Sequence, residues 1–344
     1  MESSETEVIT ISDDDVDEQI SFIGCGVYST VHKSIRDGKE VAIKTYKLDK
    51  NSDRVRESFE TELRILGQIK NDSRDDVLPL LLGVETGIPY KIVCELLGPD
   101  LLTVQKRALN MIPSSERPKE KYPVFKTSDI KVMTKCIAEA MCYLNNKGYT
   151  HMDLKLENCL LASRNQIMNC RQAFDDIWEI DLPSVKLKVI DLNSCELLDS
   201  SDLGDGLDSD RQTAHYRAPE VIFRYGFDST VDVWSLGCLI MELYTGALLF
   251  SAKEGPELVR QHCDCLREVP TVFTRWLEDT GKEPLDEPSP EFRSNMRSLI
   301  RYLRRSDPMR KSLYKCLVTM LRYDPQERST FEEIIADPFL AGVH

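Results

Sequence analysis

The sequence has no apolar run long enough to cross a bilayer, so a membrane-spanning helix is not expected. Its first residues are acidic and lack the basic-then-apolar order of a secretory signal. There is no CxxC pair, although 11 cysteines are scattered over the 344 residues. An odd number without pair spacing reads as reduced thiols, which suits an intracellular chain. A basic footprint is also missing. Lys and Arg number 44 against 58 Asp and Glu, a net charge of −14. That balance speaks against nucleic acid as the main ligand and favours cationic partners through long-range attraction. Acidity of this kind also serves solubility alone, and composition does not separate the two. With 41% hydrophobic content the chain can bury one large domain or two lobes.

The densest chemical signal is the run His151-Met152-Asp153-Leu154-Lys155-Leu156-Glu157-Asn158. Phosphoryl transfer asks a protein for a carboxylate to accept a hydroxyl proton, a lysine facing the moving group and an amide to help hold Mg²⁺. Asp153, Lys155 and Asn158 are of those kinds. Alone, eight residues read about as well as a polar turn after a buried helix. Other parts occur in order. Apolar alternation from Ile20 through Ile23 leads into Gly24-Cys25-Gly26-Val27-Tyr28-Ser29-Thr30-Val31. The glycines permit a tight turn whose amides approach phosphates, and Ser29 stands where a third glycine often sits. Val41-Ala42-Ile43-Lys44 reads as a strand bearing a phosphate-binding lysine. Val55, Phe59, Leu63, Leu66 and Ile69 mark one helical stripe, and Glu62, beside that stripe, is preferred over Glu57 and Glu60 as the partner of Lys44.

Strands are expected over Leu78–Leu82 and Lys91–Leu97. Nothing chemical marks Cys94 or Glu95 to Leu97 themselves. Residues 110–125 read as a loop, and Ser128 or Asp129 as the cap of a helix carrying Ile130, Met133, Ile137, Met141 and Leu144. An insertion over 161–184 precedes a strand, Val185–Ile190, that runs into Asp191-Leu192-Asn193. Residues 196–210 hold six acidic groups and no basic one. Thr213, His215, Tyr216 and Arg217 come next, then Ala218-Pro219-Glu220. Asp232-Val233-Trp234-Ser235-Leu236-Gly237 opens a buried helix, and Arg328 is the expected partner of Glu220.

In this order and spacing the motifs resemble a eukaryotic protein kinase over roughly residues 20–340. HYRAPEVIF followed by DVWSLGCLIMELYTGALLF is similar to the CMGC group of cyclin-dependent, MAP and LAMMER kinases. Within it, the missing arginine at position 152, the insertion before Asp191 and the linker ELLG resemble the LAMMER (CLK-like) dual-specificity kinases, with SR-protein and DYRK-like kinases as near alternatives. The EHLAMMER octet is not recognisable near Pro256 to Cys263, and Leu156 replaces the usual proline, so the membership is divergent.

The resemblance implies an α+β bilobal fold: an acidic tail over 1–18, an N-lobe of mostly antiparallel sheet over 19–97 and a mostly helical C-lobe over 98–344. It implies ATP-dependent transfer of the γ-phosphate to Ser or Thr, and Tyr if dual specificity carries over. Lys44, Glu62, Asp153 and Lys155 take the catalytic roles, and Asn158 and Asp191 hold Mg²⁺. Ile23, Gly24, Cys25, Gly26, Val27, Tyr28, Ser29, Thr30, Val31, Lys44, Glu95 and Leu97 contact the nucleotide. The resemblance also implies that Cys94 guards the back of the nucleotide pocket and that the backbone from Glu95 to Leu97 meets adenine. The alternative is a pseudokinase or nucleotide-binding scaffold, for which Leu156 and Asn193 are the departures to weigh. Arginine at position 152 often grips a phosphate on the activation segment; Met152 cannot, so activity without that phosphorylation is expected. The acidic residues 196–210 suit Arg/Lys-rich protein substrates, or are simply a solvated loop. The basic cluster from Arg293 to Lys315 offers a dock to an acidic partner, or is a solvated helix face. Val8–Asp15 resembles a SUMO-interacting motif, an apolar strand followed by acid, with an extra edge strand at 8–11 as the alternative. The nucleus is favoured over the cytoplasm by resemblance only.

Overall fold

In a computed structural model of the chain, the structure describes residues 18–47, 52–165, 167–173, 177–197, 211–223, 227–253, 255–266 and 299–343. Val8–Asp15, residues 198–210 of the acidic stretch and residues 293–298 of the basic cluster lie outside the described residues. The N-terminal part is an antiparallel sheet. Strands β1 (Glu18–Cys25), β2 (Ser29–Arg36), β3 (Lys39–Tyr46), β4 (Leu81–Glu85) and β5 (Lys91–Glu95) stand in the order β1-β2-β3-β5-β4. The turn between β2 and β3 is Asp37-Gly38, both with positive φ (50° and 71°), which matches the twist of the strands it joins. Alternation along β3 sends Val41 and Ile43 to one face and Ala42 and Lys44 to the other.

Helix α1 (Ser52–Asn71) packs beside this sheet. Val55, Phe59, Leu66 and Ile69 are buried and Leu63 is half-buried. Phe59 stacks on Tyr90 at 4.7 Å between ring centroids and meets Tyr46 edge-on at 5.4 Å. Each such anchor contributes about 1.5–3 kcal/mol of burial, enough together to fix the rotation of the helix. Glu62 lies three residues after Phe59 and four before Leu66, so that rotation turns it inward as well.

The C-terminal part is mostly helical and is built around α5 (Thr230–Thr245), which is buried from Val231 to Tyr244 and ends at left-handed Gly246 (φ 71°). Around it stand α2 (Leu101–Met111), α3 (Thr127–Asn146), α4 (Pro219–Phe223), α6 (Gly255–Leu266), α7 (Arg310–Met320) and α8 (Phe331–Ile335). Short strands decorate this lobe. β6 (Val124–Phe125), β10 (Trp178–Asp181) and β9 (Asn169–Gln172) form one sheet; β8 (Cys159–Leu161) pairs with β11 (Leu187–Val189), and β7 (Tyr149–Thr150) with β12 (Glu196–Leu197). The fold class is the α+β arrangement expected.

Several boundaries differ from expectation. β4 starts at Leu81 rather than Leu78 because Pro79 lacks a ladder donor. β5 ends at Glu95, and the chain then crosses close to another segment: a Cβ on Gly98 would lie 2.3 Å from the Ser163 carbonyl oxygen. The α2 stripe of Leu101, Val104 and Ala108 went unread, although Asp100 caps it by accepting the Thr103 amide at 2.8 Å. β6 falls inside the expected loop 110–125, and the insertion is partly ordered as β9 and β10. α3 starts at Thr127 without a side-chain cap. Asp129 instead accepts the Leu182 amide at 3.0 Å, which ties α3 to the insertion.

Candidate active site

Lys44 on β3 lies between two carboxylates from distant elements. Its ammonium is 2.7 Å from Glu62 Oε2 on α1 and 2.6 Å from Asp191 Oδ1. The Tyr46 hydroxyl donates to the same Glu62 oxygen. Burial pulls the Lys44 amine down, but Asp191 and Glu62 more than offset it and hold the group well above the ordinary lysine value. Burial works against the charged form of Asp191 too, and Lys44 overcomes it, so that carboxyl sits below its usual range. Glu57 and Glu60, the competing acids, are exposed. Cys94 pairs with Ala42 across the sheet, and burial pushes its thiol up, which keeps it protonated. The Glu95 side chain accepts from the Leu80 amide at 2.8 Å and from Lys188. It is thereby turned away from duty as a ligand, and only the backbone of Glu95 and of Leu97 beyond it remains to meet one.

Between β7 and β8 the run His151–Asn158 is held by a lattice of buried bonds. Met152 has φ 63°, a left-handed geometry that costs roughly 1–2 kcal/mol for such a residue. Asp232, fully buried on α5, accepts from the His151 amide at 2.6 Å and the Met152 amide at 3.1 Å. Two charge-assisted bonds of about 1.5–3 kcal/mol each outweigh that strain. The Asp153 amide donates to His151 Nδ1 at 3.2 Å, so the ring proton is on Nε2, which donates to the Ile190 carbonyl at 3.0 Å. The ring thus ties this loop to the residue before Asp191. Asp191 is itself left-handed, φ 69°.

Asp153 Oδ2 accepts from Lys155 at 2.6 Å, and its Oδ1 accepts from the Thr213 hydroxyl at 2.7 Å; Thr213 in turn accepts from Lys155 at 3.2 Å. Asn158 commits its amide nitrogen to Asp153, at 2.7 Å to the carbonyl and 3.2 Å to Oδ2, which leaves its Oδ1 for another group. The Ile190 amide donates to the Asn158 carbonyl at 2.9 Å, so Asn158 and Asp191 stand at neighbouring ends of the β8–β11 pair.

The glycine turn joins β1 and β2 with Cys25 opposite Thr30 and Gly24 opposite Val31. The Gly26 amide donates to the Ser29 carbonyl at 2.8 Å and closes it, and Ser29 is buried. Ile23, Cys25 and Val27 are exposed, whereas Tyr28 packs on the core.

Further on, Gln212 has a role that its sequence context does not predict. It has φ 60° and is buried. Its side-chain oxygen accepts the Ala218 amide at 2.9 Å, and its nitrogen donates to Ser235 Oγ at 3.1 Å. Arg217 donates to the Arg211 carbonyl at 2.9 Å and the Gln212 carbonyl at 2.8 Å. No motif in the chain around Gln212 points to this part; only its left-handed backbone exposes it. Glu220 and Arg328 meet as expected, with Nη2 to Oε2 at 2.6 Å.

A model of the protein kinase domain matches residues 18–340. The dual specificity protein kinase CLK2 of Mus musculus is 28% identical over 341 residues, covering 94% of this chain and 64% of that protein. The serine/threonine-protein kinase SRPK of Physarum polycephalum is 28% identical over 391 residues, covering 94% of this chain and 85% of that one. A solved kinase domain superposes with a TM-score of 0.75 at 25% identity, covering 93% of each chain. The chain thus spans somewhat less than two thirds of the length of the CLK2 relative it matches.

Proposed function

The chain belongs to the protein kinase domain family, and from that premise we propose that it is an ATP-dependent protein kinase acting on serine and threonine of protein substrates. The observation that carries this reading is that two half-sites are assembled at once. Lys44 is shared by Glu62 and Asp191 at 2.7 and 2.6 Å, while Asp153 is oriented by Lys155 and Thr213. A pseudokinase has no need of both. The departures at Leu156 and Asn193 leave each of these contacts in place.

The donor set fits Mg²⁺, a hard cation that takes oxygen ligands: the Asp191 carboxylate and the free Oδ1 of Asn158. Asp191 and Asn158 would hold the ion there, and its chemistry would be to neutralise charge on the phosphate oxygens. Lys44, clamped by Glu62, orients the α- and β-phosphates. Asp153 accepts the proton of the substrate hydroxyl, and Lys155 faces the γ-phosphoryl group. Positioning and electrostatics supply most of the rate.

Substrate choice follows from the segment beside Asp153. A peptide residue that runs past Gln212 after the acceptor finds that carbonyl occupied by Arg217. A residue without an N–H, proline, loses least. The acidic residues 196–210 favour arginine and lysine elsewhere in the peptide within about one Debye length, roughly 8 Å. Gln212 and Arg217 hold residues 211–218 without a phosphate, which supports activity in unphosphorylated protein.

Dephosphorylated recombinant protein should transfer labelled phosphate to basic peptides, most readily when proline follows the acceptor. Asp153→Asn should lower the rate about 10²–10⁴-fold with the fold unchanged. Undiminished transfer by that variant removes the role given to Asp153, and a library without basic or proline preference removes the specificity. In this reading the segment Val8–Asp15 binds SUMO, in keeping with a nuclear protein. A labelled peptide of residues 1–18 whose NMR shifts do not saturate on titration with SUMO ends it.

A further inference from the structure

Away from the cleft, a cavity of about 430 Å³ opens on the C-terminal lobe between the loop before β6, the insertion strand β10, the end of α5 and the segment after Leu299. Its walls are aromatic and aliphatic: Tyr122, Trp178, Tyr244, Leu248 and Tyr302. Leu248 and Tyr302 are exposed at 37% and 39%, unusual for large apolar side chains grouped at one opening. The floor is rigid. The Tyr122 amide donates to the Gly246 carbonyl at 2.8 Å, and a Cβ at left-handed Gly246 would lie 2.0 Å from the Tyr122 carbonyl oxygen. One wall is stiffened as well, because the Arg304 guanidinium lies 4.3 Å from the centroid of the Tyr244 ring.

The charge at the mouth has one sign. Lys121 and Arg301 are exposed there, and neither meets a carboxylate among the described residues. Arg304, the third cation, is already balanced by Glu179 and Asp307 at 3.7 and 3.8 Å. On a chain of net charge −14, two cations that meet no carboxylate among the described residues, set around an apolar pocket, run against the overall field. They also give a place to part of the basic cluster that the catalytic reading leaves unused.

We propose that this cavity docks a linear segment of a partner protein, with one or two large apolar side chains seated among Tyr122, Trp178 and Tyr302 and flanking carboxylates facing Lys121 and Arg301. Acid on the partner is required twice over. It meets the two cations here, and the net charge of −14 disfavours it over the rest of the chain. A partner held here is tethered outside the cleft and leaves Asp153 free to act.

The test is fluorescence anisotropy of the full chain with a labelled short peptide having a Leu-Trp-Leu centre and acidic flanks. Saturable binding is expected. The double variant Lys121→Glu/Arg301→Glu should weaken it about tenfold or more and bind instead a peptide with lysine flanks. Trp178→Ala should weaken both pairings, and transfer of phosphate to a short unanchored substrate should be unchanged in the charge variant. No saturation, equal binding by the double variant, or equal binding of a peptide with uncharged flanks each overturns the proposal. So does a concentration-dependent dimer in sedimentation that Arg301→Glu abolishes, since the face then belongs to a second copy of the chain.

Discussion

Glu62 and Glu220 are both buried glutamates held by a cation, at 6% and 5% exposure, but their cations differ in what else they touch. Lys44, the partner of Glu62, is shared with Asp191, whose side chain is 33% exposed. Arg328, the partner of Glu220, has no exposed side-chain surface. It also donates to the carbonyls of Arg322, Thr230 and Tyr323, at 2.7, 3.2 and 3.3 Å. The first cluster is exchangeable: one partner faces a cleft, and a phosphate can take its place against the same ammonium. The second is saturated, since a planar guanidinium with every edge committed has nothing left to offer a ligand. An ion pair is therefore read by the partners its cation still lacks, not by its depth.

Substituting each cation should separate the two roles. Lys44→Met should reduce phosphate transfer by at least about 10²-fold, because the phosphates lose the charge that positions them, and should cost less unfolding free energy than the Arg328 change, because Glu62 keeps the Tyr46 hydroxyl. Arg328→Met should do the reverse. It strands Glu220 in the core and should lower stability by about 3–5 kcal/mol, measured by denaturant unfolding, while the folded fraction keeps its turnover. Adding Glu220→Leu to Arg328→Met should recover part of that loss. If Lys44→Met unfolds the protein and Arg328→Met only slows it, the comparison is inverted.

A third glutamate sharpens the contrast. Glu242 on α5 is buried with a hydroxyl, that of Tyr216, as its partner, and no cation pairs with it among the described residues. Burial, aided by Glu157 against the Tyr216 bond, raises its carboxyl from 4.5 to about 7. The folded state holds this proton more tightly than the unfolded chain. The associated stability is complete below about pH 4.5 and is lost as pH rises through 7. Glu242→Gln, which keeps the shape and the acceptor oxygen, should be more stable than the parent at pH 8 by on the order of 3 kcal/mol and nearly equal to it at pH 4.5. Parallel stability curves for the two proteins across that range would show that Glu242 is not the group responsible.

These clusters differ in how far the sequence announces them. Lys44, Glu62, Asp153, Asn158 and Asp191 could be picked out because they fall in motifs that resemble those of protein kinases. Glu220–Arg328 was legible for the same reason, as the end of one motif and the start of another. α1 could be read from its apolar stripe, since 3.6-residue periodicity survives any tertiary context. Gln212 could not be read, because its part depends on a left-handed backbone and on what lies opposite. Asp232 was placed only as the start of a helix, since nothing local says that its carboxylate will hold the amides of His151 and Met152 from 80 residues away. The boundary at Glu95 moved for a related reason, because the crossing at Gly98 acts across the fold; the boundary at Leu81 is a local effect of Pro79.

His262 supplies the smallest effect and the opposite slope. It is fully buried on α6 between Phe250 and Trp234, at 4.2 and 4.9 Å between ring centroids, and among the described residues neither ring nitrogen has a hydrogen-bond partner. Burial, then the nearby Arg328 charge, lowers its pKa from 6.5 to about 3. The unfolded chain therefore takes up the proton first as pH falls. Stability is full above about 6.5 and declines towards 3, which costs about 2 kcal/mol at pH 5. His262→Phe retains the ring packing and removes the titration. It should be more stable than the parent at pH 5 by about 2 kcal/mol, beyond any difference seen at pH 7.5. Because Glu242 destabilises on the alkaline side and His262 on the acid side, the double variant should have the flattest stability profile of the four proteins. A slope below pH 6.5 that persists in His262→Phe would move the acid sensitivity to the paired carboxylates, with Asp191 the first to examine, since Lys44 holds its carboxyl low and protonation would cost the folded state that pairing.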